Sequence, residues 1–130
     1  MTFDTIGISG TGLTLHRKWL DAVADNMANI NTVKSTDGSA FQARYVLAQE
    51  GDGNTGAYVA GAAFGSAEGI LSYQPDHPLA DEAGYVRLPD IDMGAQMGQL
   101  ILAQRGYQAN AAVVDRAKAS YEAALQIGRS

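Results

Sequence analysis

Apolar side chains near the N-terminus recur at the spacing of an amphipathic helix. A seven-residue step from Ile6 reaches one set of apolar positions, and a parallel track adds Val23 and Ile30, with His16 as its polar member. This heptad spacing predicts a helix with an apolar stripe over residues 6–30. The first track contains Leu13, Leu20 and Met27.

Residues that favour helix ends lie on both sides of this stripe. Asp4 suits an N-cap, because a short polar side chain there accepts a bond from a free backbone N–H. Asn29, Asn31 and Thr32 end the pattern, since Asn tolerates left-handed geometry at a helix terminus. Three glycines within residues 7–12 each cost about 1 kcal/mol relative to alanine, so we expect the first two turns to fray in isolation.

The C-terminal part carries a stronger helical pattern. Two heptad tracks run through it, and Gln104 and Lys118 are their polar members. Pro89 precedes the predicted start and Gly128 marks the predicted end, and no proline lies between them. The apolar positions on the tracks are Met93, Leu100, Tyr107, Val114 and Tyr121 on one, and Met97, Ala111 and Leu125 on the other.

The middle of the chain, residues 34–90, has no helical period and is rich in glycine and turn signals. Alternation from Phe41 predicts one strand, and Tyr58–Phe64, Gly69–Tyr73 and Gly84–Leu88 are further short candidates. GDGN at 51–54 indicates a turn. The predicted fold class is therefore α+β, with two long terminal helices that pair as a coiled coil and a small central β region.

Helix length and apolar surplus predict an elongated subunit of a larger assembly. A helix of about 34 residues is about 50 Å long, whereas a compact chain of this size has a diameter of roughly 36 Å. The stripes hold more apolar surface than two paired helices cover, so we expect them to pack within a subunit and between neighbours. The predicted interface comprises Leu13, Leu20, Val23, Met27, Ile30, Met97, Leu100, Ile101, Tyr107, Val114, Tyr121 and Leu125.

Composition and charge exclude several classes of protein. The net charge is −5, which disfavours binding to nucleic acid or to an anionic membrane surface. The acids concentrate in residues 50–92, where Arg87 is the one base. There is no cysteine, which excludes thiolate catalysis and cysteine-based metal centres. No apolar run is long enough for direct insertion into a membrane, and the N-terminus lacks the basic segment of a cleavable signal peptide.

Candidate chemical sites are weak. His77 and Asp81, in PDHPLAD, have metal-ligand residue types, but Pro78 interrupts any helix that would align them, so a structural turn is the favoured interpretation. His16 lies on the apolar stripe and is interpreted as a packing residue. GISGTG at 7–12 lacks the preceding strand of a nucleotide-binding loop. We therefore predict no catalytic, cofactor-binding or metal site, and no enzyme activity.

Two longer segments resemble one known family. ADNMANINT at 24–32 is similar to the A-x-N-x-A-N-x-N-T motif of bacterial flagellar rod and hook proteins. QPDHPLADEAGYVRLPDIDM at 74–93 resembles the P-x-H-P-x-A-x-x-x-G-Y-V-x-x-P segment of the family's proximal rod members, and M-x-x-x-I-x-A-x-R-x-Y-x-A-N follows at 97–110. The residues that carry the resemblance are Asn26, Asn29, Asn31, Thr32, His77, Pro78, Gly84, Tyr85, Pro89, Arg105 and Asn110.

The chain departs from the family pattern around the start of the second helix. Asp90 and Asp92 stand where the family has asparagine, Met93 where it has proline, and Gln96 where it has glutamate. These departures concern the start of the helix and any ion pair made through position 96.

The resemblance implies a structural subunit of the proximal rod, the drive shaft that transmits torque from the basal-body ring to the distal rod and hook. It implies export by the flagellar type III apparatus without a cleavable signal peptide, and a periplasmic place in the basal body. The implied partners are copies of the chain, other rod proteins, and ring or export-gate components. The terminal helices, 1–33 and 91–130, would then form one coiled-coil domain, with residues 34–90 outside it.

Two alternatives remain open at this point. Another flagellar rod or axial subunit would share the terminal motifs. A cytosolic coiled-coil adaptor or export chaperone would explain the helices, although it leaves HPLADEAGYV unexplained.

Overall fold

A computed structural model of the chain describes residues 2–129, with side chains from Asp4 onward. Four strands lie between two helices along the chain, α1 (Thr2–Ala28) and α2 (Met93–Arg129). The strands are β1 (Arg44–Glu50), β2 (Ala57–Phe64), β3 (Ile70–Tyr73) and β4 (Tyr85–Leu88). The predicted α+β class and all four predicted strands are confirmed, with strand ends shifted by a few residues.

The chain folds into two compact units. Unit 1 comprises the described part of Met1–Leu20, Val46–Gly61 and Ile101–Ser130. Unit 2 comprises Asp21–Tyr45 and Ala62–Leu100. Each unit therefore contains parts of both helices together with strand residues.

The start of α1 differs from the prediction. The helix begins at Thr2, so Asp4 lies inside the first turn and is not the N-cap. Its carboxylate still favours the helix, because it stands near the positive end of the helix dipole.

The Asn29 side chain bonds to the last turn of α1. The helix stops at Ala28, and Asn29 Nδ2 donates to the carbonyl oxygen of Asp25 at 2.9 Å. The Thr32 hydroxyl donates to Asn29 Oδ1 at 3.0 Å. The expectation of left-handed geometry is wrong, since no non-glycine residue in the described part has a positive φ. The Asp25 carbonyl oxygen accepts two bonds at the end of the helix, one from the Asn29 side-chain amide and one from the Asn29 backbone N–H at 3.1 Å.

Asp92 caps the start of α2. Its Oδ2 accepts a bond from the Ala95 N–H at 2.7 Å, and its carbonyl accepts the first helical bond from the Gln96 N–H at 3.0 Å. Aspartate and asparagine are comparably good caps, so the departure at position 92 preserves the helix start. The predicted end at Gly128 is wrong: this glycine does not take the left-handed conformation that ends helices, and α2 continues to Arg129.

The strands form two separate antiparallel pairs. In the first, the Gly51 N–H donates to the Gly56 carbonyl at 2.7 Å beside the turn, and the Gly65 N–H donates to the Ala43 carbonyl at 2.8 Å at the open end. The second aligns β3 with β4 so that Tyr73 lies opposite Tyr85.

The buried apolar side chains are few and small. Those of unit 1 are Ala103 and Ala117, and those of unit 2 are Val23, Ala40, Ala43 and Val86. Many larger apolar side chains are exposed on both helices and on the strands. No helix in the described part of the chain is both long and apolar enough to cross a membrane.

Candidate assembly surface

In unit 1, α1 and α2 run antiparallel and approach closely at two glycines. Gly12 of α1 faces the Asn110 amide, and Gly106 of α2 faces the His16 ring. A Cβ at Gly12 would lie 2.5 Å from Asn110 Oδ1, closer than real Cβ atoms approach a neighbour. On each helix, a glycine therefore leaves room for a polar side chain of the other helix. The interpretation of His16 as a packing residue is confirmed.

Hydrogen bonds fix the two polar side chains at this contact. His16 Nδ1 lies 2.7 Å from the Gly12 carbonyl oxygen and 3.5 Å from Asn110 Nδ2. Asn110 Nδ2 donates to the Gly106 carbonyl at 2.8 Å, which sets the orientation of its amide. Each side chain therefore bonds the backbone of its own helix, and each lies against a glycine of the other.

The first β-hairpin is attached to α1 within unit 1 through Thr11. The Thr11 hydroxyl donates to the Ile8 carbonyl at 2.6 Å and accepts the Ala57 N–H at 3.1 Å. A Cβ at Gly56, whose φ is +119°, would collide with Thr11 Oγ1. A glycine is required there both by the conformation and by the close approach.

In unit 2, Asn26 joins α1, β1 and α2 from a fully buried position. Its Nδ2 donates to the Arg44 carbonyl at 2.9 Å and to Gln96 Oε1 at 3.1 Å. Its Oδ1 accepts the Arg44 N–H at 2.8 Å. Asn26 is 0% exposed and Gln96 is 3% exposed. Glutamine supplies the acceptor at position 96 without burying a carboxylate charge.

Arg87, in β4, anchors the loops around the second hairpin. Its backbone exchanges hydrogen bonds with Lys34, at 2.8 and 2.9 Å. Its guanidinium donates to the carbonyl oxygens of Thr36, at 3.0 Å, and Glu68. Sequence reasoning missed this role, although Arg87 stands out as the one base in an acidic segment.

The PDHPLAD segment forms the turn between β3 and β4. The His77 N–H donates to the Gln74 carbonyl at 3.0 Å, and His77 Nδ1 accepts the Leu79 N–H at 3.0 Å. Pro78 is exposed in this turn, and the residue that ends it, Gly84, is buried with a φ of +86°. A Cβ at Gly84 would lie 2.8 Å from the ring of Tyr73, so glycine is needed at this close approach.

Asp81 holds the second hairpin through its carboxylate. Oδ1 accepts the Tyr85 N–H at 2.9 Å and Oδ2 accepts the Thr36 hydroxyl at 3.1 Å. The backbone bond from Tyr85, with support from Thr36, lowers the pKa of Asp81 below its ordinary value of 3.8. Both carboxylate oxygens therefore have structural partners.

The predicted interface residues fall into three groups by exposure. Val23 is buried. The half-buried members are Leu13, Leu20, Met27, Ile30, Leu100, Val114 and Tyr121. The exposed members are Met97, Ile101, Tyr107 and Leu125.

The remaining motif residues occupy varied positions. Asn31 and Arg105 are exposed. Pro89, which lies between β4 and α2 in the sequence, is buried. The Tyr85 ring packs edge-to-face on Tyr73, with ring centroids 5.4 Å apart.

Sequence reasoning missed several exposed apolar residues because they lie off the heptad tracks. On α2 these are Leu102, Val113 and Ile127. Helical periodicity could have found them, because a rotation of about 100° per residue places all three on one side of α2.

Comparison with known proteins gives matches along most of the chain. A family model described as flagellar basal body rod FlgEFG protein C-terminal matches residues 82–127. The flagellar basal-body rod protein FlgC of Yersinia enterocolitica is 36% identical over 126 residues, which is 94% of each chain. Its counterpart in Salmonella typhimurium is 34% identical over the same share of each chain. That of Aquifex aeolicus is 36% identical over 92% of each chain.

Proposed function

The chain belongs to the FlgC family of flagellar basal-body rod proteins, and from this premise we propose that it is a structural subunit of the flagellar proximal rod. It polymerises through its terminal helices and transmits torque from the basal-body ring to the distal rod and hook. Relatives that match this chain over 94% of both lengths carry the name of a rod protein, which supports a structural role and not an enzymatic one.

One observation of the structure carries the proposal: the chain exposes large apolar side chains while burying small ones. Ile127 is 76% exposed and Leu102 is 56% exposed, whereas Ala103, also on α2, is 0% exposed. Exposed apolar surface of this kind marks interaction sites, because burying a leucine or isoleucine contributes about 1.5–3 kcal/mol. A subunit with several neighbours gains this contribution at each contact.

The helices are proposed to act as a coiled-coil domain formed by 1–33 and 91–130, with 34–90 as a β region outside it. The contacts of His16 with Gly106 and of Gly12 with Asn110 support the pairing of the helices. The predicted interface residues that are half-buried or exposed on these helices are the proposed sites of contact with neighbouring subunits.

The proposed partners are copies of the chain, other rod proteins, and components of the basal-body ring and export gate. The proposed location is the periplasmic rod, reached through the flagellar type III apparatus without a cleavable signal peptide. Membership in a basal-body rod family supports assembly with other rod components.

Mass spectrometry of purified hook–basal bodies from motile cells tests the proposal. We expect the chain at a fixed ratio to the other rod components. A matched preparation from cells lacking the chain controls for contamination, and we expect it to contain no complete rods. Clean basal bodies without the chain, together with a soluble pool elsewhere in the cell, would reject the rod assignment and favour an adaptor or chaperone.

A further inference from the structure

Two aspartates of the chain, Asp37 and Asp52, are followed directly by glycine. In such a pair the glycine nitrogen can attack Cγ of the aspartate, because glycine has no Cβ to obstruct the approach. The new C–N bond closes a five-membered succinimide, and a carboxyl oxygen leaves as water with the amide proton and a proton taken from solvent. Water then opens the ring at either carbonyl and returns aspartate or isoaspartate, in which the backbone runs through the former side-chain carboxyl.

The first pair is held in a hydrogen-bonded turn of unit 2. The Gly38 N–H donates to the Ser35 carbonyl at 3.2 Å, and the Asp37 N–H donates to Ser35 Oγ at 3.1 Å. The Thr36 carbonyl accepts the Arg87 guanidinium at 3.0 Å. Both peptide planes that flank Asp37 are therefore bonded, and the nitrogen that would attack already donates its hydrogen.

The second pair lies at the tip of the first hairpin, in unit 1. The Gly51 N–H donates to the Gly56 carbonyl at 2.7 Å and closes the hairpin below the tip. Beyond that bond, the Gly53 N–H has no acceptor in the part of the chain that the structure describes. A Cβ at Gly53 would meet nothing within 4 Å. The bond across the tip, from the Thr55 hydroxyl to the Asp52 carbonyl at 3.0 Å, involves neither reacting group.

The hydrogen bonds distinguish the two pairs, whereas exposure and the dipeptide itself do not. Asp37, Gly38, Asp52 and Gly53 are all exposed. At Gly38 a backbone bond must break before the nitrogen can approach the carboxyl group. At Gly53 the nitrogen is available in the folded chain.

We propose that Asp52 is a site of spontaneous isoaspartate formation and that the turn at 35–38 protects Asp37. The product lengthens the backbone of the hairpin tip by one methylene and places a free α-carboxylate there. That carboxylate is the group to which an isoaspartyl methyltransferase transfers the methyl group of S-adenosylmethionine, with S-adenosylhomocysteine as the leaving group. This chemistry is independent of the rod assignment.

Isotope labelling of the purified full-length chain tests both parts of the proposal. The folded protein is incubated at neutral pH in water enriched in the heavy oxygen isotope, so each opening of a succinimide adds one heavy oxygen. Trypsin, which cuts after lysine and arginine, then places Asp37 on peptide 35–44 and Asp52 on peptide 45–87. We expect label to enter at Asp52 at least about fivefold faster than at Asp37, the factor that corresponds to one backbone hydrogen bond of ordinary strength.

Urea provides the matched control, because it removes the turn and leaves both sequences intact. In the unfolded chain the two sites should be labelled at similar rates. A second measurement counts isoaspartate in aged protein by methyl transfer from labelled S-adenosylmethionine with a purified isoaspartyl methyltransferase. Asp52→Glu keeps the charge but cannot close a five-membered ring, so it should remove most of the methyl acceptance, whereas Asp37→Glu should leave it nearly unchanged.

Three results would overturn the proposal. The first is labelling of Asp37 as fast as Asp52 in the folded protein. The second is a rate ratio that persists in urea, because the local sequence and not the turn would then set the difference. The third is an unlabelled Asp52 in folded protein under conditions that label both sites of the unfolded chain. The rod assignment stands or falls separately, on the composition of basal bodies.

Discussion

Removal of the Asn26 side chain tests whether the buried amide cluster holds unit 2 together. Asn26→Ala deletes both bonds to the Arg44 backbone and the bond to Gln96 Oε1. The two backbone bonds contribute about 1 kcal/mol each, and a buried oxygen without a donor costs about 1–3 kcal/mol. We therefore expect the free energy of unfolding to fall by about 3–5 kcal/mol, a large part of the stability of an ordinary domain.

Urea denaturation of the purified full-length chain, followed by circular dichroism, measures this loss. Asn31→Ala is the matched control, because Asn31 is exposed just beyond the same helix. We expect the control to change the free energy of unfolding by less than about 0.5 kcal/mol. A double-mutant cycle with Gln96→Ala isolates the amide pair: removing Gln96 should cost less once Asn26 is gone.

A loss below about 1 kcal/mol in Asn26→Ala would refute the reasoning, since it would mean that water satisfies the Arg44 and Gln96 groups. Additive losses in the cycle would refute the direct Asn26–Gln96 bond while leaving the bonds to Arg44 in place.

Three further changes test other parts of the structure. Gly106→Ala should lower the melting temperature, because its Cβ collides with His16, whereas Gly7→Ala, which has open space around it, should raise it by stabilising the helix. Asp92→Ala should lower the free energy of unfolding by about 1 kcal/mol through loss of the cap on α2, and Asp92→Asn should leave it nearly unchanged. Asp81→Asn removes a carboxylate whose folded pKa is lowered, so its destabilisation should be full above pH 3.8 and disappear as the pH falls further, as measured by denaturation across pH.

Secondary structure was largely predictable because its signals are local. The strands lie where alternation and turn residues predict them, and the helices lie where apolar residues recur at helical spacing. Helix ends were less predictable, since they depend on individual bonds. The left-handed geometry expected at the end of α1 is absent from the described non-glycine residues, and the start of α2 is set by the cap that Asp92 provides just before the first apolar position.

The tertiary contacts depend on pairs of residues far apart in the sequence, which a local pattern does not contain. Gly12 destabilises an isolated helix, yet in the folded chain its missing side chain allows the Asn110 amide to pack against α1. The buried position of Asn26 depends on Arg44 and Gln96, neither of which is marked by periodicity. The motif at 24–32 identified Asn26 as a residue shared with the family. The hydrogen-bond partners of Asn26 could be recognised only in the folded chain.

In unit 1, glycines of α1 and α2 bring the two backbones close together, and the buried apolar side chains of this part of α2 are the alanines Ala103 and Ala117. Larger apolar side chains of the same part of α2, among them Leu102, Val113 and Ile127, are exposed. Because each such side chain contributes about 1.5–3 kcal/mol only when water is removed from it, this arrangement reserves part of the apolar stabilisation for contacts with neighbouring subunits.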